Sequence, residues 1–150
     1  MAQSITDVAA YILERTGTIT TMQLHQLAFY AQAEHLVKHQ GAPLFPEDFY
    51  AWRSGSVCPL LFILHRNKFI IRPGELPQGN PDRLSDKDKN CIIRVCTALG
   101  HMTGAELGGR VCSEDPWVHA RGKQKAHDPG DTLIPKIAMG VYYFEHRILP

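Results

Sequence analysis

The sequence predicts a mainly helical α+β domain, built around one long central helix at about residues 20–40 with a small two- or three-strand element beside it. Three observations predict this. First, Thr20 to Gln40 is apolar on two helix faces: Leu24, Leu27, Ala28 and Ala31 lie on one, and Met22, Phe29, Ala33 and Leu36, flanked by Tyr30 and Val37, on the other. A helix apolar on two sides belongs in a core. Second, shorter segments along the chain open with Ser, Thr, Asp or Pro and carry apolar residues at helical spacing. Third, only Phe49–Trp52 and Phe69–Ile71 are short, aromatic or β-branched enough to pair as strands.

The elements follow in order. Ser4 and Asp7 read as a capping box ahead of Ile5, Val8, Ala9, Ile12 and Leu13, a short amphipathic helix that ends at Gly17. Thr18 and Ile19 leave room for a tight turn, so this helix and the next should form a close hairpin. Thr20 and Gln23 cap the central helix, Gly41 is placed to stop it in the left-handed conformation, and it should run roughly 30 Å. The prolines of Pro43-Leu44-Phe45-Pro46 exclude further helix, and Arg53-Ser54-Gly55-Ser56 reads as a turn. Pro59 suits the first turn of a helix over Leu60, Leu61, Ile63 and Leu64, and Arg72–Arg83 is a loop by composition. Ser85 with Asp88 opens a helix carrying Ile92, Val95 and Leu99 and closed by Gly100. Thr103 with Glu106 opens another, weakened at Gly108 and Gly109 by roughly 1 kcal/mol each. Asp115-Pro116 starts a short segment around Trp117, Gly122–Asp131 is a polar loop, and Pro135 precedes a last helix with Ile137, Ala138, Val141, Tyr142 and Phe144.

At 150 residues the chain suits a single domain, residues 1–150, able to bury a core without disulfides or metals. Its 16 basic and 15 acidic residues are interspersed, giving +1 and no one-signed field for nucleic acid or a membrane surface. No apolar run approaches a membrane span and the first residues do not read as a signal peptide, so a cytoplasmic location is expected. Cys58, Cys91, Cys96 and Cys112 form no Cys-x-x-Cys pair and are expected as reduced, partly buried thiols.

Chemistry finds little support. His35 and His39 share a helix face, and His25, Gln32 and His39 repeat every seven residues, but no third ligand type joins them, so no metal is expected and the plainer reading is a polar line facing solvent or a partner. Cys58 and His65 lack an orienting third group, and the glycines match no phosphate loop, so neither a cofactor nor an enzymatic activity is expected. The frame Gly-x-x-Thr-x-x-(Gln/Glu)-Leu occurs at Gly17–Leu24 and again at Gly100–Leu107, a repeat that helix capping by itself explains. A recognition helix would follow such a turn, yet Thr20–Tyr30 has no Lys or Arg, which disfavours DNA binding. The more suggestive stretch is Ala51–Pro59, where Trp52 and Arg53 adjoin a turn. Both are residue types enriched at interfaces, although Trp52 equally suits a core.

The same residues carry a resemblance. Val8–Leu13, Gly17-Thr-Ile-Thr20, Leu24-His-Gln-Leu27, Tyr30-Ala-Gln32, His35-Leu36 and Gly41–Phe45 come first in order. Phe49–Trp52, Gly55-Ser-Val57-Cys-Pro59, Leu84-Ser85, Asp88-Lys89, Glu106-Leu107, Ser113–Trp117 and Ala120-Arg121 follow. Taken together, they make the chain similar to the Panacea, or SocA-like, antitoxin domains of bacterial and phage toxin–antitoxin pairs. It departs from that pattern at Ser56, where proline is common, at Gln26, where lysine is frequent, and at Val111-Cys112-Ser113. The resemblance implies a non-enzymatic antitoxin that neutralises a cognate toxin by direct binding, in one member by delivering it to a ClpXP-type protease. A DNA-binding regulator of its own operon is the alternative. The candidate partner contacts are Trp52, Arg53 and Val57, the polar line His25, Gln32 and His39, and Trp117.

Overall fold

In chain order the elements are α1 (Ile5–Thr16), β1 (Ile19–Thr20), α2 (Thr21–Lys38), β2 (Phe49–Trp52), β3 (Gly55–Val57) and α3 (Pro59–Leu64). They continue with β4 (Ile70–Ile71), a 3-10 turn at Pro81–Arg83, α4 (Asp86–Leu99), α5 (Gly104–Ser113), α6 (Asp115–Arg121), β5 (Thr132–Ile134) and α7 (Lys136–Glu145). The computed structural model describes residues 4–123 and 131–150, so most of the expected polar loop, residues 124–130, lies outside the described residues.

Helix α2 is the axis of the molecule. Every residue from Leu24 to Leu36 is buried, and α1, α4, α5, α7 and β3 all pack on it. Its start is as expected: Thr20 Oγ1 accepts the Gln23 amide at 3.1 Å and Gln23 Oε1 accepts the Thr20 amide at 2.8 Å. Its end comes earlier. The helix stops at Lys38, Gln40 at φ +56° takes the first left-handed position, and Gly41 at φ +91° follows it, donating to Leu36 O. Phe29 organises the aromatic core, meeting Tyr30, Phe49 and Tyr143 edge to face at 5.3–6.2 Å.

Helix α1 is amphipathic and ends at Gly17, φ +79°, but the Ser4–Asp7 capping box does not form. Ser4 Oγ accepts the Thr6 amide. The carboxylate that closes this end is Glu47, forty-two residues on, which accepts the Ile5 amide at 2.8 Å and the Ser4 hydroxyl at 3.0 Å. Asp7 points inward instead, accepting the Asn80 amide at 2.8 Å and so tying the mid-chain loop to α1. The capping boxes of α2 and α5 both form, and the two helix starts touch, with Gln23 Nε2 donating to Met102 O at 2.9 Å.

Strand pairing differs from the expectation that Phe69–Ile71 would partner Phe49–Trp52. Strand β4 pairs antiparallel with β1, Ile19 opposite Ile71, where only a turn had been expected. Strand β2 is the centre of a separate antiparallel sheet, β3-β2-β5, with Trp52 opposite Gly55 and Phe49 opposite Ile134. The turn is therefore only Arg53-Ser54, and Gly55–Val57 is strand. Alternation along β2 selects Phe49 and Ala51 for the core and leaves Tyr50 and Trp52 half-buried.

Candidate partner-binding surface

The β2–β3 hairpin is held from three sides. From below, Gln26 of α2 is fully buried and its Oε1 accepts both the Ser56 amide at 3.1 Å and the Ser56 hydroxyl at 2.7 Å, while its Nε2 donates to Ser56 O at 3.0 Å. Gly55, at φ +150°, lies so close to Gln26 that a Cβ there would stand 2.9 Å from Oε1. From one flank, the turn rests on α5: a Cβ at Gly108 would stand 2.5 Å from Ser54 O, so the glycine that weakens α5 is what admits the turn. From the other, Trp117 Nε1 donates to Trp52 O at 2.9 Å and to Gly55 O at 3.3 Å, bridging the last strand pair. The Arg121 guanidinium covers the Trp117 ring at 5.4 Å and donates to Ala51 O at 3.3 Å.

What this bracing presents outward is a half-buried Trp52 and an exposed Arg53. They border a concavity of about 420 Å³ with Met22, Ser54, Gly55, Val57 and Asp131. The Trp52 ring meets Phe62 edge to face at 5.1 Å, and Phe62 extends the surface onto α3, where Leu60 and Ile63 are also exposed. The Trp52 indole N–H has no acceptor among the described residues. A large, rotamer-poor aromatic anchor beside a guanidinium on a rigid turn suits protein recognition, because the ring and the braced backbone lose little entropy on docking and the guanidinium adds directional hydrogen bonds.

The structure brings Trp52, Arg53, Val57 and Trp117 together, Val57 being buried beneath the rim and Trp117 acting as the brace rather than the outer face. The others do not join this rim. His25 and Gln32 are buried, which corrects the expectation of a polar line toward solvent. Gln32 Oε1 accepts the Leu44 amide at 2.7 Å and its Nε2 donates to Phe45 O at 2.8 Å, pinning the proline-flanked segment to the core. His39, half-buried at the far end of α2, packs on His35 with rings 4.2 Å apart.

His25 has the most constrained environment. Its Nδ1 accepts the Cys58 amide at 3.3 Å, so its proton is on Nε2, which donates to His65 Nε2 at 2.7 Å; the His65 proton is then on Nδ1, which has no acceptor among the described residues. Burial, with the neighbouring His65, holds the His25 pKa down to about 3, and burial lowers that of His65. A Cys58–His65 nucleophile–base pair is not formed, because His25 occupies the His65 Nε2 that would serve as base and burial raises the Cys58 pKa. Burial also pushes the Cys96 thiol up to about 12 and those of Cys91 and Cys112 up to about 11. Among the described residues no three His, Cys, Asp or Glu side chains converge as metal ligands, and no helix is long and apolar enough to cross a membrane.

Sequence reasoning missed Gln26, Ser56 and Arg121 as supports of the hairpin. Only Arg121 left a signal, standing four residues after Trp117 within a helix, the spacing of a cation–π pair. It also missed Glu114, whose Oε1 accepts the hydroxyls of Tyr30 at 2.5 Å and Tyr143 at 2.8 Å and joins α2, α7 and the start of α6.

The architecture is that of a helical domain wrapped around a buried central helix, with its surface hairpin braced by α2, α5 and α6. The family model for the antitoxin SocA-like Panacea domain matches residues 24–118, well over half of the 150-residue chain, and the chain belongs to that family. The matched span begins at the first buried residue of α2, contains the whole hairpin and ends just after Trp117. No curated protein and no solved structure matches the chain.

Proposed function

We propose that this protein is a non-enzymatic antitoxin that neutralises a cognate toxin by direct binding, and that the toxin docks on the β2–β3 hairpin through Trp52 and Arg53. Family membership supports the antitoxin role. The observation that carries the location is the bracing of the hairpin: Gln26, Gly108 and Trp117 fix its backbone while Trp52 and Arg53 remain at the rim of the concavity. Delivery of the toxin to a ClpXP-type protease is one way such binding would act, distinguished from simple masking by whether toxin levels fall.

Burial of α2 weighs against the alternative of a DNA-binding regulator. The helix after the first Gly-x-x-Thr turn is enclosed from Leu24 to Leu36, and the exposed residues of the second, Ala105, Glu106, Gly109 and Ser113, include no Lys, Arg, Asn or Gln, its Arg110 being bonded to Glu114 and to Ile148 O.

Co-expression with the toxic product of the neighbouring gene tests the proposal. The wild-type protein should restore growth, whereas Trp52→Ala and Arg53→Glu should each weaken the complex by roughly 2 kcal/mol or more, about thirtyfold, and lose rescue while remaining folded by circular dichroism. Full rescue by both variants would remove the hairpin from the interface. Toxin that disappears only in cells with an intact protease would place neutralisation in degradation.

A further inference from the structure

Helix α7 turns one apolar stripe away from the core. Met139 and Tyr143 are buried, whereas Ile137, Val141 and Phe144, at i, i+4 and i+7, are 79%, 64% and 70% exposed. The stripe is one wall of a groove of about 580 Å³, whose other wall is the end of α2, with Leu36, Val37, Gln40 and Gly41. Gly140 adds no side chain to the floor, where a Cβ would lie 3.8 Å from Leu36 Cβ.

The groove does not end with the apolar residues. Val37 and Phe144 also line an adjoining hollow of about 230 Å³ that contains Lys38, Arg94 and Arg147. Lys38 and Arg94 pass on into a third, of about 470 Å³, with Lys87. Among side chains, this end holds four cations against one carboxylate, Glu34, which is 4.0 Å from Arg94. The apolar end is flanked by Glu145 and by Lys136, whose ammonium is already paired with Asp48. An apolar trough that runs into a basic end, on a protein of net charge only +1, is complementary to one chemistry.

We propose that this groove is a second protein-docking site, and that its occupant is an amphipathic helix of a partner protein, apolar at i, i+4 and i+7 and acidic at one end. The apolar face would seat on Ile137, Val141 and Phe144, and the acidic end on Lys38, Lys87, Arg94 and Arg147. Acidic residues in the first turn of the incoming helix would also favour its own dipole. The groove shares no lining residue with the hairpin concavity, and the inference does not depend on where the toxin binds.

The probe is a fluorescein-labelled helical peptide of about 18 residues with leucine at i, i+4, i+7 and i+11 and a cluster of glutamates at one end, followed by anisotropy with the full chain. Controls replace every glutamate by lysine, or every leucine by asparagine. The expected result is saturable binding of the acidic peptide, weakened several-fold when salt is raised from about 0.05 M to about 0.5 M. Binding should fall at least roughly tenfold in Phe144→Asp and in Lys38→Glu/Arg94→Glu, with neither control peptide bound. These side chains are exposed, so the variants should keep the native melting temperature. Equal binding of the lysine peptide, undiminished binding by Phe144→Asp, or no binding of the acidic peptide would overturn the inference. So would a homodimer in sedimentation equilibrium that Phe144→Asp dissociates, because a second copy would then cover the groove.

Discussion

Gln26 shows how much of this structure is decided by one polar side chain in a core. Its single carbonyl oxygen satisfies both the amide and the hydroxyl of Ser56, so Gln26→Leu leaves two buried donors without an acceptor. The expected loss is roughly 2–4 kcal/mol, read by urea unfolding. Gln26 and Ser56 are bonded to each other on both sides of the amide, and a serine at 56 needs the acceptor that a glutamine has and a lysine would lack. His25 makes a second prediction at this scale. Its pKa of about 3 in the folded protein lies below the ordinary 6.5, so above pH 6.5 both states are neutral and the shift has no effect. Below it the unfolded chain takes up a proton that the folded chain refuses, and stability falls with pH down to about 3. Between pH 6.5 and 5 this amounts to roughly 1.5 kcal/mol for His25, so the acid limb of the stability curve should flatten by that amount in His25→Gln.

Among elements, α5 supplies the sharpest contrast because its two adjacent glycines have opposite surroundings. A Cβ at Gly109 meets nothing within 4 Å, so Gly109→Ala should stabilise the protein by about 0.5–1 kcal/mol through helix propensity. A Cβ at Gly108 would collide with Ser54 O, so Gly108→Ala should destabilise by roughly 1–3 kcal/mol and displace the hairpin that carries Trp52 and Arg53. Thermal melts of the two variants side by side check both signs. The sequence marks these glycines alike, as weak points of one helix, and this is the general limit on what could be read from it. Local signals were legible: the apolar faces of α2 and the boxes Thr20–Gln23 and Thr103–Glu106 need only neighbouring residues. Long-range partners were not. Glu47 displaced Asp7 from the α1 cap, β1 took β4 from β2, and Gln32 satisfied a loop rather than water. In each case a polar or strand-forming residue was recognised correctly and its partner, more than ten residues away, left no local trace. On α7 the failure was of the opposite kind: Ile137, Val141 and Phe144 have core composition and lie on the outer face.

For the whole molecule, the enclosed α2 acts as scaffold, and the outward-facing hairpin is assigned the binding role. In that division Gln26, Gln32 and His25 of α2 are consumed by internal bonds, to Ser56, Phe45 and His65 respectively. It also separates two surfaces with different chemistry, an aromatic and guanidinium rim at the hairpin and an apolar-to-basic groove along α7. The most direct test of the hairpin assignment is amide hydrogen exchange of the purified protein with and without the product of the neighbouring toxic gene. The account predicts new protection concentrated in residues 49–57 and the start of α3, absent with Trp52→Ala. A stable complex whose protection falls elsewhere and leaves residues 49–57 unchanged would contradict it.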